Sequence, residues 1–464
     1  MKHHLSKVCL ALVAGVFAQQ ASASGYHFGT QSVGVQSTAN AAAAEAADAS
    51  TIFYNPAGLT KLQGRGEFTA AANIVMPSIK YSDAKMTTFR GAPATGITSG
   101  KIAETTIAPH LYGAYQLNNR VSLGLGMYIP FGSKTEYTKD SVLRYNINKL
   151  GLTSVALEPV VAFKANEKHS FGVGLIAQYS QAELRKYSDW SASGKLGDLP
   201  SGAADGHADV KGHDWGFGYH LGWMYDMNDR VRIGVNYRSK VEHNLSGSAK
   251  WQPDGAVAKA YYDNVISPVS GYVPNEKTSV KIVTPESLSV HGMYRASDKL
   301  NLYGDVTWTR HSRFDKAALA FEHNKIVAKT GKPDASGKII GKSNTTVITP
   351  NWRDTYKVAI GGSYQYSEPL QLRAGIAYDQ SPVKSSADRL NSMPDANRLW
   401  LSVGARYTHK KRHVFDVAYS YIDIKDSDYT APAATGDSMD SRGASSAKFK
   451  TSASIVGLQY TYKF

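Results

Sequence analysis

The residues that could do chemistry form no catalytic or metal-binding pattern in this sequence. The 14 histidines include no H-E-x-x-H spacing, which would place two imidazoles on one helix face around a zinc ion. The chain has one cysteine, Cys9, so no pair of thiolates can bind a metal or form a disulfide. A G-x-S-x-G nucleophile elbow is also missing. The sequence therefore predicts a protein that is not an enzyme and that needs no metal or cofactor.

A hydrophobic cluster points to binding rather than to catalysis. Val142, Leu143, Tyr145, Ile147 and Leu150 lie close together in a stretch that has the composition of a surface loop. Exposed apolar patches of this kind often mark binding sites. The same residues could instead be the packed core of a folded loop, and the sequence leaves both interpretations open.

Apolar and polar residues alternate along most segments after residue 65. Examples are 231–238, 370–379, 398–407 and 458–464. Alternation with a period of two is the signature of strands that have one apolar face. A soluble sandwich and a membrane barrel both satisfy this pattern, so the connections between the strands have to decide.

The connections alternate between short turns and long loops. The short turns fall at 117–120, 165–169, 226–230, 296–299, 366–369 and 409–413. The long loops fall near 81–105, 137–150, 188–208, 246–280, 312–351, 381–397 and 425–450. Short periplasmic turns and long outer loops are typical of transmembrane barrels, in which every backbone group must be paired because lipid offers no partner. The pattern predicts an all-β protein, a 14-stranded antiparallel transmembrane β-barrel.

The N-terminus predicts export. Lys2 and Lys7 form a positively charged region before an apolar run from Val8 to Ala18. Ala21-Ser22-Ala23 then has the form of a cleavage site. The apolar run is too short to span a membrane. We expect residues 1–23 to be a signal peptide, which would remove Cys9 with it.

Residues 24–64 are small and polar and show no strand pattern. A barrel of fourteen strands has a wide lumen unless something fills it. We therefore expect residues 24–64 to form an N-terminal hatch inside the barrel of residues 65–464, with a flexible periplasmic tail as the alternative.

The third predicted strand, 121–136, contains a candidate weak point in the barrel wall. It holds Gly124, Gly126, Pro130 and Gly132. Proline removes a ladder hydrogen bond, and glycines permit bulges without filling a gap. The alternatives are a functional side opening and an ordinary bulge.

The formal net charge of +14 allows two interpretations. The excess lysines and arginines could lie on solvent-facing loops. They could also form a basic lumen or rim that attracts anionic ligands or lipopolysaccharide phosphates. Nucleic acid is not expected as a partner, because the sequence has no helical basic run.

Several segments resemble the FadL-type outer-membrane transporters of long-chain fatty acids and other hydrophobic compounds. The segment Tyr54-Asn55-Pro56-Ala57-Gly58-Leu59 is similar to that family's Asn-Pro-Ala motif. Asp379-Gln380-Ser381-Pro382-Val383 and Arg398-Leu399-Trp400-Leu401-Ser402 resemble its most specific stretch. The resemblance covers nearly the whole chain after the predicted signal peptide. It implies a bacterial outer-membrane protein that takes ligand from the outside and releases it sideways at a kinked third strand.

The resemblance also implies site residues. Arg185 aligns with a basic position of the family's ligand site, and Arg353 is a second candidate, because arginine suits a carboxylate. The alternative for Arg185 is a solvated side chain at an outer strand end. A lysine of the family is replaced near Ile348. Tyr26 and Phe28 would supply apolar contacts from the hatch.

Asn55, Pro56 and Ala57 would seat the hatch against the barrel and take part in gating. A plain turn explains the Asn-Pro pair equally well.

Three functions remain open. The first is ligand-gated passive diffusion of fatty acids or similar lipophiles; the others are a surface adhesin or structural barrel, and a general porin. The expected partners are hydrophobic small molecules, outer-membrane lipid or lipopolysaccharide, and the barrel-assembly machinery, which would recognise the terminal Phe464. A barrel that closes on itself needs no second copy, so we expect a monomer.

Overall fold

The computed structural model describes residues 25–88, 91–190, 199–200, 202–266, 272–328, 340–433 and 442–464 of the 464-residue chain. The expected signal peptide, residues 1–23, lies outside these described residues.

The described strand segments form one antiparallel sheet that closes on itself. They are β1 (Gly66–Thr88), β2 (Gly100–Lys101), β3 (Thr106–Gln116), β4 (Val121–Glu136), β5 (Lys149–Lys164), β6 (His169–Asp189), β7 (Asp205–Asp226), β8 (Val231–Arg238), β9 (Val241–Pro253), β10 (Asn275–Thr284), β11 (Ser287–Arg295), β12 (Leu300–Thr309), β13 (Ala317–Ala328), β14 (Ile340–Ile348), β15 (Thr355–Gln365), β16 (Leu370–Asp379), β17 (Arg398–His409), β18 (His413–Ala431) and β19 (Arg442–Lys463). Closure comes from the pairing of the first and last of these, which runs from Glu67↔Lys463 to Thr88↔Arg442.

These segments make fourteen barrel strands, as the sequence predicted. Four barrel strands are interrupted and consist of β8 with β9, β10 with β11, β12 with β13, and β14 with β15. The short β2 pairs only with the upper part of β1. Each remaining segment is a barrel strand by itself.

The apolar face of each strand points outward. On β6, Phe171, Val173 and Leu175 are 47%, 50% and 64% exposed, while Gly172 and Gly174 between them are buried. An apolar face that is exposed rather than packed is the arrangement of a lipid-facing barrel and not of a soluble sandwich.

Several predicted loops are partly strand. The predicted loop 246–280 is shortened because β9 continues to Pro253 and β10 starts at Asn275. The predicted loop 312–351 contains β13 and β14. Crossing a bilayer takes about 9–11 strand residues, whereas β6 has 21. The strands therefore continue above the apolar band.

The described helices are short. Within residues 25–65 they are Val33–Gln36, the 3-10 helix Ala42–Glu45, Thr51–Tyr54 and the 3-10 helix Pro56–Lys61. The later ones are the 3-10 helix Val142–Tyr145, the α-helix Gly255–Tyr261 with the π-helix Tyr262–Ile266, and the 3-10 helix His311–Arg313. Among the described residues, no helix combines the length and the apolar character needed to cross a membrane.

Residues 25–65, which we call the N-terminal segment, contact the inward faces of strands from all sides of the ring. Val33–Gln36 contacts β17, β18 and β19, Ala42–Glu45 contacts β11 and β12, and Pro56–Lys61 contacts β5, β6 and β7. Most of its side chains are buried, including Phe28, Ile52 and Asn55 at 0% exposed.

Candidate functional site

The start of the N-terminal segment runs as a short strand beside β4. The Phe28 N–H donates to the Pro130 carbonyl at 2.8 Å, and the Gly132 N–H donates to the Tyr26 carbonyl at 2.8 Å. His27 and Phe131 face each other in an antiparallel bridge. Residues far apart in the chain thus meet at the third barrel strand.

The wall is irregular at this point. Pairing of β3 with β4 ends at Leu111↔Met127, and the register of β4 with β5 shifts between Tyr128 and Phe131. A bulge of this kind leaves backbone groups without a ladder partner. Among the described residues, the stretch of β3 before Leu111 has no strand partner on its β4 side. Pro130 lies within this register shift.

Gln31 of the N-terminal segment forms hydrogen bonds with the backbone N–H and carbonyl of Ile129, which lies in the bulge. Its Nε2 donates to the Ile129 carbonyl at 2.6 Å, and the Ile129 N–H donates to its Oε1 at 3.3 Å. Phe28 packs beside them with Ala108 and Ile129. The N-terminal segment therefore covers the irregular stretch of wall from the inside.

Gly124 and Gly126 lie against the N-terminal segment. A methyl group at Gly124 would lie 2.8 Å from Ile52 Cδ1 and from Leu59 Cδ1, and one at Gly126 would lie 3.0 Å from Ile52 Cγ2. These glycines leave space for the N-terminal segment. Of the predicted weak-point residues, Pro130 lies in the bulge, and Gly132 bonds to Tyr26 beside it.

An apolar cavity of about 110 Å³ lies inside the upper part of the barrel. Tyr26 lines it, together with Leu150, Leu152, Leu184, Val210, Leu245, Val280, Ile282, Phe314, Leu319, Ile348 and Met393. The charged residues along it are Glu183 and Lys211. Both occupy outward-facing strand positions and approach each other at 4.0 Å, so the inner surface of the cavity is apolar.

A polar cavity of about 90 Å³ lies on the other side of the N-terminal peptide. His27 lines it, with Arg238, Asp305, His311, Lys357, Asp379 and Trp400 among the other lining residues. The Lys357 ammonium lies 4.4 Å from the Trp400 ring centroid. Adjacent residues, Tyr26 and His27, thus separate an apolar space from a charged one.

The pKa of His27 is lowered by burial and by two neighbouring cations. Burial first, and then the charges of Lys357 and Arg238, lower the pKa of His27 to about 3. Its imidazole is therefore neutral at physiological pH. Arg238 pairs with Glu158 at 3.2 Å. Asp305 and Asp379 line the cavity together with Lys357.

Tyr26 is fixed by three aromatic neighbours. Its ring stacks on Trp352 at 5.6 Å, meets Phe314 edge-on at 5.6 Å and lies 5.7 Å from Phe131. Its hydroxyl donates to the Val283 carbonyl at 3.2 Å. The predicted apolar role of Tyr26 fits this position. Phe28, in contrast, does not line the apolar cavity and stacks on His110.

Arg185 is placed differently from the predicted ligand contact. It shares the outward face of β6 with Leu175, and its guanidinium pairs with Asp209 at 2.7 Å and Glu136 at 3.1 Å. Arg353 is also held elsewhere, because its Nε donates to the Ser381 carbonyl at 3.2 Å. Neither arginine lines the described cavities.

The predicted exposed cluster is buried. Leu143, Tyr145 and Ile147 are 0%, 4% and 9% exposed. Leu143 packs with Tyr81 and other residues of the outer loops, and none of the three lines the apolar cavity. The packed-loop interpretation of this stretch is therefore the one that the structure favours.

The Asn-Pro-Ala turn is seated against the wall. Asn55 Nδ2 donates to the Trp223 and Val235 carbonyls at 3.0 and 3.2 Å, and its Oδ1 accepts from the Ala57 N–H at 3.1 Å. Pro56 packs where Gly172 leaves room, since a methyl group there would lie 2.4 Å from its carbonyl carbon.

Ion pairs hold the middle of the N-terminal segment. Asp48 pairs with Arg406 at 2.7 Å, and Glu45 pairs with Arg373 at 2.8 Å. Burial alone would raise the pKa of Asp48, but Arg406 and the bonds from Ser50 outweigh it and lower the pKa. Asp48 is therefore ionised at neutral pH.

The comparisons with known proteins agree with this architecture. A family model described as "Outer membrane protein transport protein (OMPP1/FadL/TodX)" matches residues 14–464. The chain is 60% identical over 473 residues to an outer membrane protein of Neisseria meningitidis serogroup B, with 99% of each chain covered. It is 26% identical over 437 residues to the long-chain fatty acid transport protein of Escherichia coli O6:H1, covering 90% of this chain and 91% of the relative.

Solved structures share the fold. A FadL homologue of Pseudomonas aeruginosa superposes with a TM-score of 0.81 at 22% identity, covering 95% of this chain and all of that one. The toluene transporter TodX of P. putida superposes with a TM-score of 0.63 at 18% identity, covering 90% and 94%. The chain therefore belongs to the OMPP1/FadL/TodX family and is a β-barrel protein of the bacterial outer membrane.

Proposed function

We propose that this protein carries long-chain fatty acids or similar hydrophobic molecules across the outer membrane by passive, ligand-gated diffusion. The observation that carries the proposal is the position of Tyr26, which closes the apolar cavity while its own backbone is bonded to the bulge of β4. A ligand that fills the cavity competes with Tyr26 for the same space. The names of the fatty acid and toluene transporters among the relatives support the choice of substrate class.

Displacement of the peptide is the proposed gating step. Four hydrogen bonds join Tyr26, Phe28 and Gln31 to β4, each with a net value of about 1 kcal/mol. The three aromatic contacts of Tyr26 add about 1 kcal/mol each. Burying one methylene group stabilises by about 0.8 kcal/mol, so a ligand needs about nine buried methylenes to displace the peptide. Long-chain acids exceed this number and short-chain acids do not.

Release is proposed to occur sideways. Once residues 26–31 leave β4, the stretch between β3 and the bulge is uncovered. Ligand would pass there into the lipid, and no nucleotide is required. In place of Arg185, we propose that Lys357 meets the carboxylate of an acid, because it lines the polar cavity that His27 separates from the apolar one.

A reversible lock tests the gate. Because the bridge between His27 and Phe131 brings their Cα atoms to about 4.5 Å, the double variant His27→Cys/Phe131→Cys can form a disulfide. We expect uptake of labelled oleate to be blocked when the pair is oxidised and restored by reduction. The matched control is Thr69→Cys/Thr461→Cys, which crosslinks paired residues of β1 and β19 in the wall and should transport in both redox states.

Two results would count against the proposal. The fatty-acid function would be refuted if oleate uptake were equal with and without the protein and the purified barrel bound no oleate. Equal uptake by the oxidised and reduced forms of the lock would refute the gate alone. Octanoate provides a further comparison, since its chain is too short to displace the peptide.

The alternatives need different experiments. A general porin would give steady ion conductance in planar bilayers without ligand. Deleting the whole predicted loop 312–351 would remove a binding surface of an adhesin, but it does not distinguish an adhesin from a transporter, because Phe314 and Ile348 of that loop line the apolar cavity. Uptake by cells in which only residues 329–339 are removed is the cleaner comparison.

Two expectations about partners belong to the same proposal. The barrel closes on itself through β1 and β19, so we propose a monomer. Phe464 follows the last strand and is 52% exposed, which leaves its ring accessible to the assembly machinery during insertion.

A further inference from the structure

Three lysines stand side by side on adjacent strands of the barrel. Lys80 of β1 is directly opposite Lys450 of β19 on one side and Lys101 of β2 on the other. Directly opposite residues of an antiparallel pair project from the same face, with Cβ atoms about 5 Å apart. We call Lys101, Lys80 and Lys450 the lysine row.

The lysine row faces outward above the apolar band. On β19 the outward-facing residues continue from Leu458, which is 52% exposed, to Ser454, Ser452 and Lys450. Ser454 pairs with Tyr421, an exposed aromatic residue of β18. Four residues of strand span about 13 Å, which is about 10 Å along the membrane normal for a strand tilted by about 40°. This height is that of the lipid headgroups on the long-loop side of the barrel.

The charges of the row are not neutralised by the protein. Among the described residues, none of the three lysines forms an ion pair with a carboxylate. Like charges directly opposite each other destabilise a sheet. Because the row carries this cost in the isolated chain, an external anion would remove it.

Another outward row of the same barrel shows the contrast. Glu136, Lys149, Arg185 and Asp209 are also directly opposite one another, on β4 to β7. There each cation has an acidic partner, with Lys149 3.6 Å from Glu136 and Arg185 2.7 Å from Asp209. An outer row with balanced charges is thus possible in this fold, and the lysine row departs from it.

The lysine row lines a groove of about 620 Å³. A fourth cation, Lys448, lies in the groove and pairs with Asp83 at 3.0 Å. Asp426 and Asp428 also line it, so the four lysines have three carboxylates beside them when Asp83 is included. The hydroxyls of Ser82, Ser99 and Ser427 add hydrogen-bond donors. Ammonium and hydroxyl groups in a concave site suit the phosphate group of a lipid.

We propose that the groove of the lysine row binds the phosphate groups of a phosphorylated glycolipid of the outer leaflet. The outward direction and the headgroup height favour a membrane lipid over a soluble anion, whose approach the surrounding leaflet would obstruct. This site is separate from the transport path, which runs inside the barrel.

Binding of purified lipopolysaccharide to the full-length barrel in detergent micelles tests the proposal. We compare the wild type with Lys80→Gln/Lys101→Gln/Lys450→Gln. The matched control is Lys134→Gln/Lys240→Gln/Lys281→Gln, which removes the same charge from rim lysines that have acidic partners. A lysine at an anionic lipid surface contributes about fivefold in affinity. The row variant should therefore bind lipopolysaccharide about 100-fold more weakly than the wild type. The loss of affinity in the control variant should be much smaller.

Each outcome decides the question. Undiminished binding by the row variant overturns the proposal, and an equal loss in both triple variants reduces it to general surface charge. Inorganic phosphate that competes away all of the lipid at millimolar concentration would assign the groove to soluble anions instead. If the triple variant fails to show the heat-dependent gel shift of a folded barrel, Lys101→Gln alone is used, because it alters only the two-residue β2 and should still weaken binding about fivefold. Oleate uptake should remain unchanged in the row variant, which keeps this test independent of the proposed transport.

Discussion

At the residue scale, the boundary between the two cavities is one peptide bond wide. Tyr26 projects among Trp352, Phe314 and Phe131, while His27 lines the polar cavity with Lys357. Successive residues of an extended chain project to opposite sides. The extended conformation that the bonds to β4 impose on residues 26–28 is therefore what separates apolar from charged space.

Lys357 provides a residue-level prediction about substrate chemistry. We expect Lys357→Met to weaken oleate binding about tenfold, because a charge-assisted bond to the carboxylate is lost, and to leave the binding of oleyl alcohol unchanged. Fluorescence competition with the purified barrel measures both affinities. Arg185→Met is the control and should bind oleate normally, since its guanidinium is engaged on the outer face. Equal loss for acid and alcohol would show that Lys357 matters for packing and not for the carboxylate.

At the element scale, glycines of the barrel wall leave space for the N-terminal segment. A methyl group at Gly172 of β6 would lie 2.4 Å from the Ala57 nitrogen, and one at Gly375 of β16 would lie 2.2 Å from the Thr38 carbonyl oxygen. Distances this short require the segment to move. The close fit explains why short helices with few internal bonds hold one position, since the barrel supplies most of their contacts.

The fit of the Asn-Pro-Ala turn can be tested with one methyl group. We expect Gly172→Ala to unseat residues 55–57 and to raise ion conductance in planar bilayers without ligand, because the bonds of Asn55 to the wall are lost. Gly113→Ala is the matched control, since a methyl group at Gly113 of β3 meets no atom within 4 Å. If both variants conduct like the wild type, the turn does not help to close the lumen.

At the scale of the whole molecule, the protein consists of the barrel wall and the N-terminal segment, which contacts the inward faces of the strands. The backbone pairing of β1 with β19, from Glu67↔Lys463 to Thr88↔Arg442, closes the ring. The segment is joined to the wall by ion pairs such as Asp48 with Arg406, and Phe28 and Ile52 are buried.

Deletion of residues 25–64 tests whether the N-terminal segment blocks the lumen. We expect the shortened chain to insert as a barrel with the usual heat-dependent gel shift, because its strand pairing is intact. It should show steady ion conductance and take up oleate and octanoate without the chain-length threshold of the intact protein. A shortened chain that folds but remains closed to ions would mean that the wall or the outer loops, and not the segment, block the lumen.

The sequence by itself determined the number of barrel strands and the outward direction of their apolar faces, but not how far the strands extend into the predicted loops. This was possible because lipid imposes the same local rule on every strand, apolar outside and paired backbone throughout. It also singled out Pro130, which lacks a backbone N–H and lies in the register shift of β4. The outward position of Arg185 could also have been predicted. Arg185 is an even number of residues from Phe171, Val173 and Leu175, so it lies on the same face of β6 once the strand is known to extend to Asp189.

Only the tertiary structure decided what fills the barrel and where the cavities lie. The contacts of Tyr26, Phe28 and Gln31 with residues 129–132 join segments about a hundred residues apart, as in the pair Gln31 and Ile129. No local period or motif encodes such a pairing. The burial of Leu143 and the role of Gly124 as space for Ile52 were hidden for the same reason. Their surroundings come from other strands and from the N-terminal segment, which reach them only when the barrel has closed.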